Sequence, residues 1–181
     1  ERGRYRDALK LLGSAIGAYE KNFVDLVDYD KLVDAYLHLA IAQFEKGYKD
    51  NARETMDTLI VLRPDTRVDP RKYSPEFIEM LEGARQRSQA RPTGQLYVSS
   101  EPMGADVFID GIAVGKAPTT LSGVLQGYHY IQVRAQGMQP WGQVVNVSGA
   151  SLKTINANLS VDGDQEMAEI DGEYVPPDPL I

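Results

Sequence analysis

Cysteine is absent from the 181 residues, and the chain holds only two histidines and one tryptophan. Without cysteine there are no disulfides, thiol nucleophiles or thiolate zinc sites. His38 and His129 lie in segments of opposite periodicity, so no multi-histidine metal site is expected, and no metal or cofactor is assigned. No apolar run approaches the ~20 residues a membrane span requires, so no transmembrane segment is expected in this stretch. Positive charge is also scarce where it would matter. The net charge is −7, and seven acids (Asp162, Asp164, Glu166, Glu169, Asp171, Glu173 and Asp178) fall within residues 162–181, which contain no Lys or Arg. The rest of the chain balances at 19 of each sign. A neutral body with an acidic end has no basic surplus to displace counterions, which argues against a nucleic-acid partner. The chain begins at Glu1, directly in a helical pattern and without a leader-like segment. That beginning reads as a piece of a longer protein.

The first half shows helical periodicity. Tyr5, Ala8, Leu9, Leu12, Ile16 and Tyr19 recur on one face, as do Leu32, Tyr36, Leu39, Ala40 and Phe44. A third helix carries Ala52, Met56, Leu59 and Ile60 and ends before Pro64. A fourth begins at Ser74-Pro75, an N-cap followed by proline at the first helical position. It presents Phe77, Ile78, Leu81 and Ala84 and fades in the polar run from Arg85 to Arg91. From Gly94 the period changes to 2. The pairs Leu96/Val98, Val107/Ile109, Ile131/Val133 and Val145/Val147 alternate with neighbours, as do Ile155, Ala157 and Leu159. Short strands separated by turn signals predict a small β-sandwich. The switch places a domain boundary near Arg91-Pro92-Thr93-Gly94. Gly3–Ala8 and Gly47–Ala52 also repeat one pattern, a glycine five residues before an alanine with an aromatic nearby, as in helical hairpin repeats.

The stretch Ile109–Thr120, IDGIAVGKAPTT, superficially resembles a phosphate-binding loop. The spacing from Gly111 to Gly115 is one residue short of that motif, and Ala117 stands where a Mg²⁺-binding hydroxyl is needed. Asp110-Gly111 is instead a type I′ hairpin signal, predicting a strand Ala105–Ile109 that turns into Ile112–Val114.

With its flanks, this stretch resembles a PEGA domain, whose Pro-Glu-Gly-Ala motif reads Pro102-Met103-Gly104-Ala105 here. The resemblance runs through Val107, Ile109, Asp110-Gly111, Gly115, Pro118, Leu121, Gly127, His129, Val133 and Gly137. Met103 and Met138 depart from the family's Glu and Tyr. The resemblance implies a small non-catalytic β-sandwich of the kind found in bacterial and archaeal envelope or surface proteins. It supplies no catalytic residues. In the first half, Tyr36, Leu39, Ala40, Gly47, Ala52, Met56, Leu59 and Pro64 are similar to one tetratricopeptide (TPR) repeat. Gln43 stands where an aromatic is usual. Residues 3–19 resemble the second helix of a preceding repeat, joined by a long connector reaching Asp30. This second resemblance implies protein or peptide binding; a plain helical spacer is the alternative.

The expected architecture is multidomain α and β. TPR-like helical hairpins occupy residues 1–92, a small all-β PEGA-like sandwich 93–161, and an acidic, proline-containing tail 162–181. The expected function is non-enzymatic: a protein-binding adaptor or scaffold of a bacterial cell envelope, periplasmic or surface-exposed. Exposed residues near Tyr36, Gln43 and Tyr48, together with Trp141, are the candidate partner contacts. The alternative is a carbohydrate- or cell-wall-binding module, with Trp141 and Tyr128 or Tyr130 stacking on sugar rings. His129 is expected to be a half-buried structural histidine. No nucleophile-elbow pattern supports a triad of Ser99, Ser100 or Ser122 with His129 and Asp110. Asp162, Asp164, Glu166 and Glu173 have a partial EF-hand spacing, but Met167 occupies the turn-glycine position. A solvated or partner-binding tail is the plainer expectation there.

Overall fold

The computed structural model describes residues 2–161. Their contacts form two compact units. One contains α1 (Arg2–Lys21) and the segment Asp28–Ala90. The other contains Asn22–Val27 and residues 91–161. The connector expected to link two helices therefore belongs, over six residues, to the β unit.

In the helical unit α2 (Asp30–Lys46), α3 (Lys49–Leu62) and α4 (Pro75–Gln89) follow α1, each packing on its predecessor. Their apolar stripes meet as predicted: Ala40, Met56, Ile60, Phe77, Leu81 and Ala84 form one buried cluster. Phe77 stacks on Tyr73 and meets Phe44 edge-on, with centroids 5.1 and 5.3 Å apart. Gly47 ends α2 at φ +87°, which glycine adopts without Cβ strain. There the Tyr48 N–H donates to the Gln43 carbonyl and the Gly47 N–H to that of Phe44, satisfying two terminal acceptors. Ser74 caps α4, its Oγ accepting the Phe77 N–H at 3.2 Å. The α3–α4 connection is held by Arg85, which is buried and donates to the Pro64 and Thr66 carbonyls while pairing with Glu82.

The β unit has seven strands among the described residues: β1 Thr93–Glu101, β2 Asp106–Ile109, β3 Ile112–Lys116, β4 Thr119–Leu125, β5 Gly127–Arg134, β6 Trp141–Val147 and β7 Leu152–Asn158. They form a sheet ordered β4-β1-β7, with β1 and β7 parallel, and a sheet ordered β3-β2-β5-β6. The inward residues of both sheets, including Leu96, Val98, Val107, Ile131, Val133, Val145 and Ile155, share a single apolar cluster. The hairpin turns at Asp110 (φ +50°) and Gly111 (φ +78°), the two left-handed positions a type I′ turn requires. Strand β4 was not anticipated. A register shift sets its Val124 and Ser122 against Gly94 and Gln95, skipping Gly123 and breaking the alternation that would mark a strand.

Strand β5 is buried on both faces. His129, Ile131 and Val133 face the shared core, while Tyr130 and Gln132 point the other way and are also buried. They are covered by a 3-10 turn, Phe23–Asp25. Phe23 is 1% exposed and lies against Tyr130 with centroids 5.2 Å apart. Burial of such a ring contributes about 1.5–3 kcal/mol. Opposite Gln132 on β6 is Gly142, where a Cβ would lie 2.7 Å from Val24 and 2.8 Å from Phe23. Gly17, on the exposed side of α1, has nothing within 4 Å of such a Cβ.

These two glycines should respond oppositely to substitution. Gly142→Val is expected to destabilise the β unit by about 1–3 kcal/mol through overpacking, lowering the urea midpoint read from Trp141 fluorescence. Gly17→Ala is expected to stabilise the helical unit by about 0.5–1 kcal/mol, raising the midpoint read from far-UV circular dichroism. A neutral Gly142→Val would contradict the packing described.

Candidate functional site

In the helical unit, α3 and α4 leave an open groove of about 430 Å³. Arg53 comes from α3. Glu76, Glu79, Met80, Gly83 and Arg87 come from successive turns of α4, a spacing that brings them to one side of the helix. Gly83 keeps the wall low, and Met80, half-buried on the aromatic cluster, supplies an adaptable apolar patch. The rim is charged and includes several ion pairs. Arg87 holds Asp57 through Nε and Nη2 at 3.1 and 2.8 Å, Arg53 pairs with Asp50 at 2.9 Å, and Lys49 pairs with Glu76. Exposed pairs of this kind contribute little to stability, so they can exchange for a ligand's charges at small cost.

The β unit contains a buried ion pair. His129 Nδ1 lies 2.6 Å from Asp110 Oδ2, and its Nε2 lies 2.9 Å from the Leu125 carbonyl. Asp110 Oδ1 accepts the Tyr130 N–H at 2.9 Å, and the Asp110 N–H donates to the Tyr130 carbonyl. Both ring nitrogens therefore face acceptors, an arrangement satisfied when both donate, as in the imidazolium. Burial alone pushes the His129 pKa down. The opposing Asp110 charge, its hydrogen bond and the Leu125 carbonyl outweigh that and hold the pKa above the ordinary value. A ring with both nitrogens engaged has no lone pair left for a serine hydroxyl. The pair joins the hairpin turn to the end of β4 and has no general-base geometry.

Two of the candidate contacts are not where the sequence reading put them. Tyr36 and Gln43 were expected near an exposed patch, but both are 0% exposed. Tyr36 donates its hydroxyl to Glu20, and the Gln43 Oε1 accepts from Thr55 at 2.7 Å. Their helix faces are turned into the α1–α2–α3 packing, so an exposed role for these two side chains is corrected. Tyr48 is 40% exposed at the N-cap position of α3. Trp141 opens β6, half-buried and packed on the shared β core, opposite Val133. It belongs to the β unit, whereas Tyr36, Gln43 and Tyr48 belong to the helical unit. Tyr130 is 2% exposed beneath Phe23, so it is not a sugar platform. The groove residues Glu79, Met80 and Arg87 were missed, because a polar helix face carries no periodic signal. The suggested Ca²⁺ loop at Asp162, Asp164, Glu166 and Glu173 lies outside the described residues. Among those that are described, no group of three or more His, Asp or Glu side chains is placed to hold a metal ion. None of the described helices is long and apolar enough to cross a membrane.

Residues 93–163 match the family model of the PEGA domain. The described residues thus comprise four α-helices followed by a β-sheet region matching that domain. No curated protein matches the chain.

The buried pair predicts a pH dependence of known sign. Unfolded histidine titrates near about 6.5, and His129 titrates higher in the folded state. The folded chain therefore keeps a proton that the unfolded chain releases. The pair's contribution is complete below about pH 6.5 and is lost as pH rises through the folded value. The Trp141-monitored melting temperature should fall over that upward range in the wild type and fall less in His129→Gln. Equal slopes would contradict the assignment.

Proposed function

We propose that the protein is a non-enzymatic adaptor or scaffold of a bacterial cell envelope, periplasmic or surface-exposed, whose helical unit binds a protein partner. In this reading the α2–α3 hairpin is TPR-like, and the β unit is a PEGA-like sandwich acting as spacer or second contact. The observation that carries it is the α3–α4 groove, with its Met80 patch and exchangeable rim of Arg53, Glu76, Glu79 and Arg87. An apolar patch ringed by convergent charges suits an extended or helical peptide. The wall-polymer alternative needs a free aromatic face. The packing of Trp141 on the β core supports the adaptor reading over it.

The test uses the full chain as bait for envelope extract, with Met80→Asp and Glu79→Lys as groove variants. One captured protein should bind wild type and Trp141→Ala alike and lose at least about tenfold in affinity to each groove variant, about 1.4 kcal/mol. Capture unchanged in both groove variants, with wall polymer retained by wild type and lost in Trp141→Ala, would reverse the assignment.

A further inference from the structure

We propose that the outer face of β5 and β6 is a peptide-binding site for a short, aromatic-anchored turn, and that Asn22–Val27 is its resident ligand, held in cis. The features of a recognition site are all within the β unit. Gln132, 1% exposed, directs its amide nitrogen at the carbonyls of Phe23, Val24 (3.1 Å) and Leu26 (3.4 Å). Arg134 donates to the Leu26 carbonyl at 2.9 Å, and its guanidinium is steadied over the Phe108 ring at 5.4 Å. Two long polar side chains thus read main-chain oxygens and are indifferent to most of the ligand's sequence. Specificity rests on one pocket. Phe23 is the fully buried side chain of the segment, seated on Tyr130, whereas Val27 is 86% exposed and Asn22 and Asp25 face solvent. Gly142 keeps the floor open where any side chain would collide with Phe23 and Val24. The ligand is itself pre-shaped, since the Asp25 and Leu26 N–H groups donate to the Asn22 and Phe23 carbonyls.

The partner class follows from this chemistry: a peptide with one phenylalanine that begins a single 3-10 turn, with its carbonyls clustered on one side. Tethering gives the resident segment an effective concentration on the order of millimolar. A free peptide therefore enters only when the resident anchor is weakened or when its own affinity is higher.

The test keeps the full chain and weakens the anchor with Phe23→Ala, using Phe23→Leu as the milder variant should alanine prevent folding. The probe is a synthetic peptide with the sequence of residues 21–28, KNFVDLVD, and a control peptide with alanine in place of its phenylalanine. Millimolar probe should restore at least half of the lost Trp141-monitored midpoint in the variant and leave wild type unmoved. The control peptide should do nothing, and adding Gln132→Ala to the variant should abolish the rescue. A folded variant whose midpoint is unchanged by the probe, or rescued equally by the control, would overturn the proposal.

Discussion

A phenylalanine encoded between two helices closes one face of the β unit, and much of that unit depends on it. Strand β5 places Tyr130 and Gln132, and β6 places Val144, where a two-layered β structure normally meets water. Left uncovered, the Tyr130 ring would be wet. Gln132 would be free to hydrate, whereas once buried without partners it would cost several kcal/mol. The turn at Phe23–Asp25 resolves both demands together. Its ring covers Tyr130, and its carbonyls satisfy the amide that the ring helps to bury. Gly142 is the third part of the same arrangement, since the turn can sit this low only over a residue without a side chain.

On the opposite face of β5, the His129–Asp110 pair has a different task. Asp110 sits at positive φ in the hairpin turn, and its carboxylate binds both the Tyr130 amide and the His129 ring. The other ring nitrogen reaches the end of β4. A tight turn, a central strand and a strand of the second sheet are thereby joined by one side chain. The chemistry that might suggest a catalytic base is used up in holding strands together. The binding roles proposed for this chain rest instead on surfaces, the mixed-charge groove of the helical unit and the outer face of β5 and β6.

Periodic features were the legible ones. The helical stripes through Met56 and Leu81, the Ser74 cap, the Asp110-Gly111 turn and the alternating strands could be read because a local pattern and its burial coincide. Strand β4 was hidden by the bulge at Gly123, which interrupts the period of 2. Tyr36 and Gln43 were misplaced because a polar atom on an amphipathic helix does not announce which way it turns. Gln43 finds its partner, Thr55, on the next helix. The Phe23 turn was the least legible feature. Its partners lie more than a hundred residues away, and its only sequence traces were an apolar outward position at Tyr130 and a glycine inside β6 with no turn to explain it. The groove had no trace, because charged faces are the ordinary solvent side of helices.

The central claim is that six residues flanked by helices are structurally part of the β unit. Native-state hydrogen exchange of the intact chain tests it most directly, because it assigns each amide to the unit whose opening exposes it. The Asp25 and Leu26 amides should exchange with the same opening free energy and urea dependence as those of β5 and β6, distinct from those of α1 and α2. Exchange of these two amides at loop-like rates, or in step with the helices, would contradict the account.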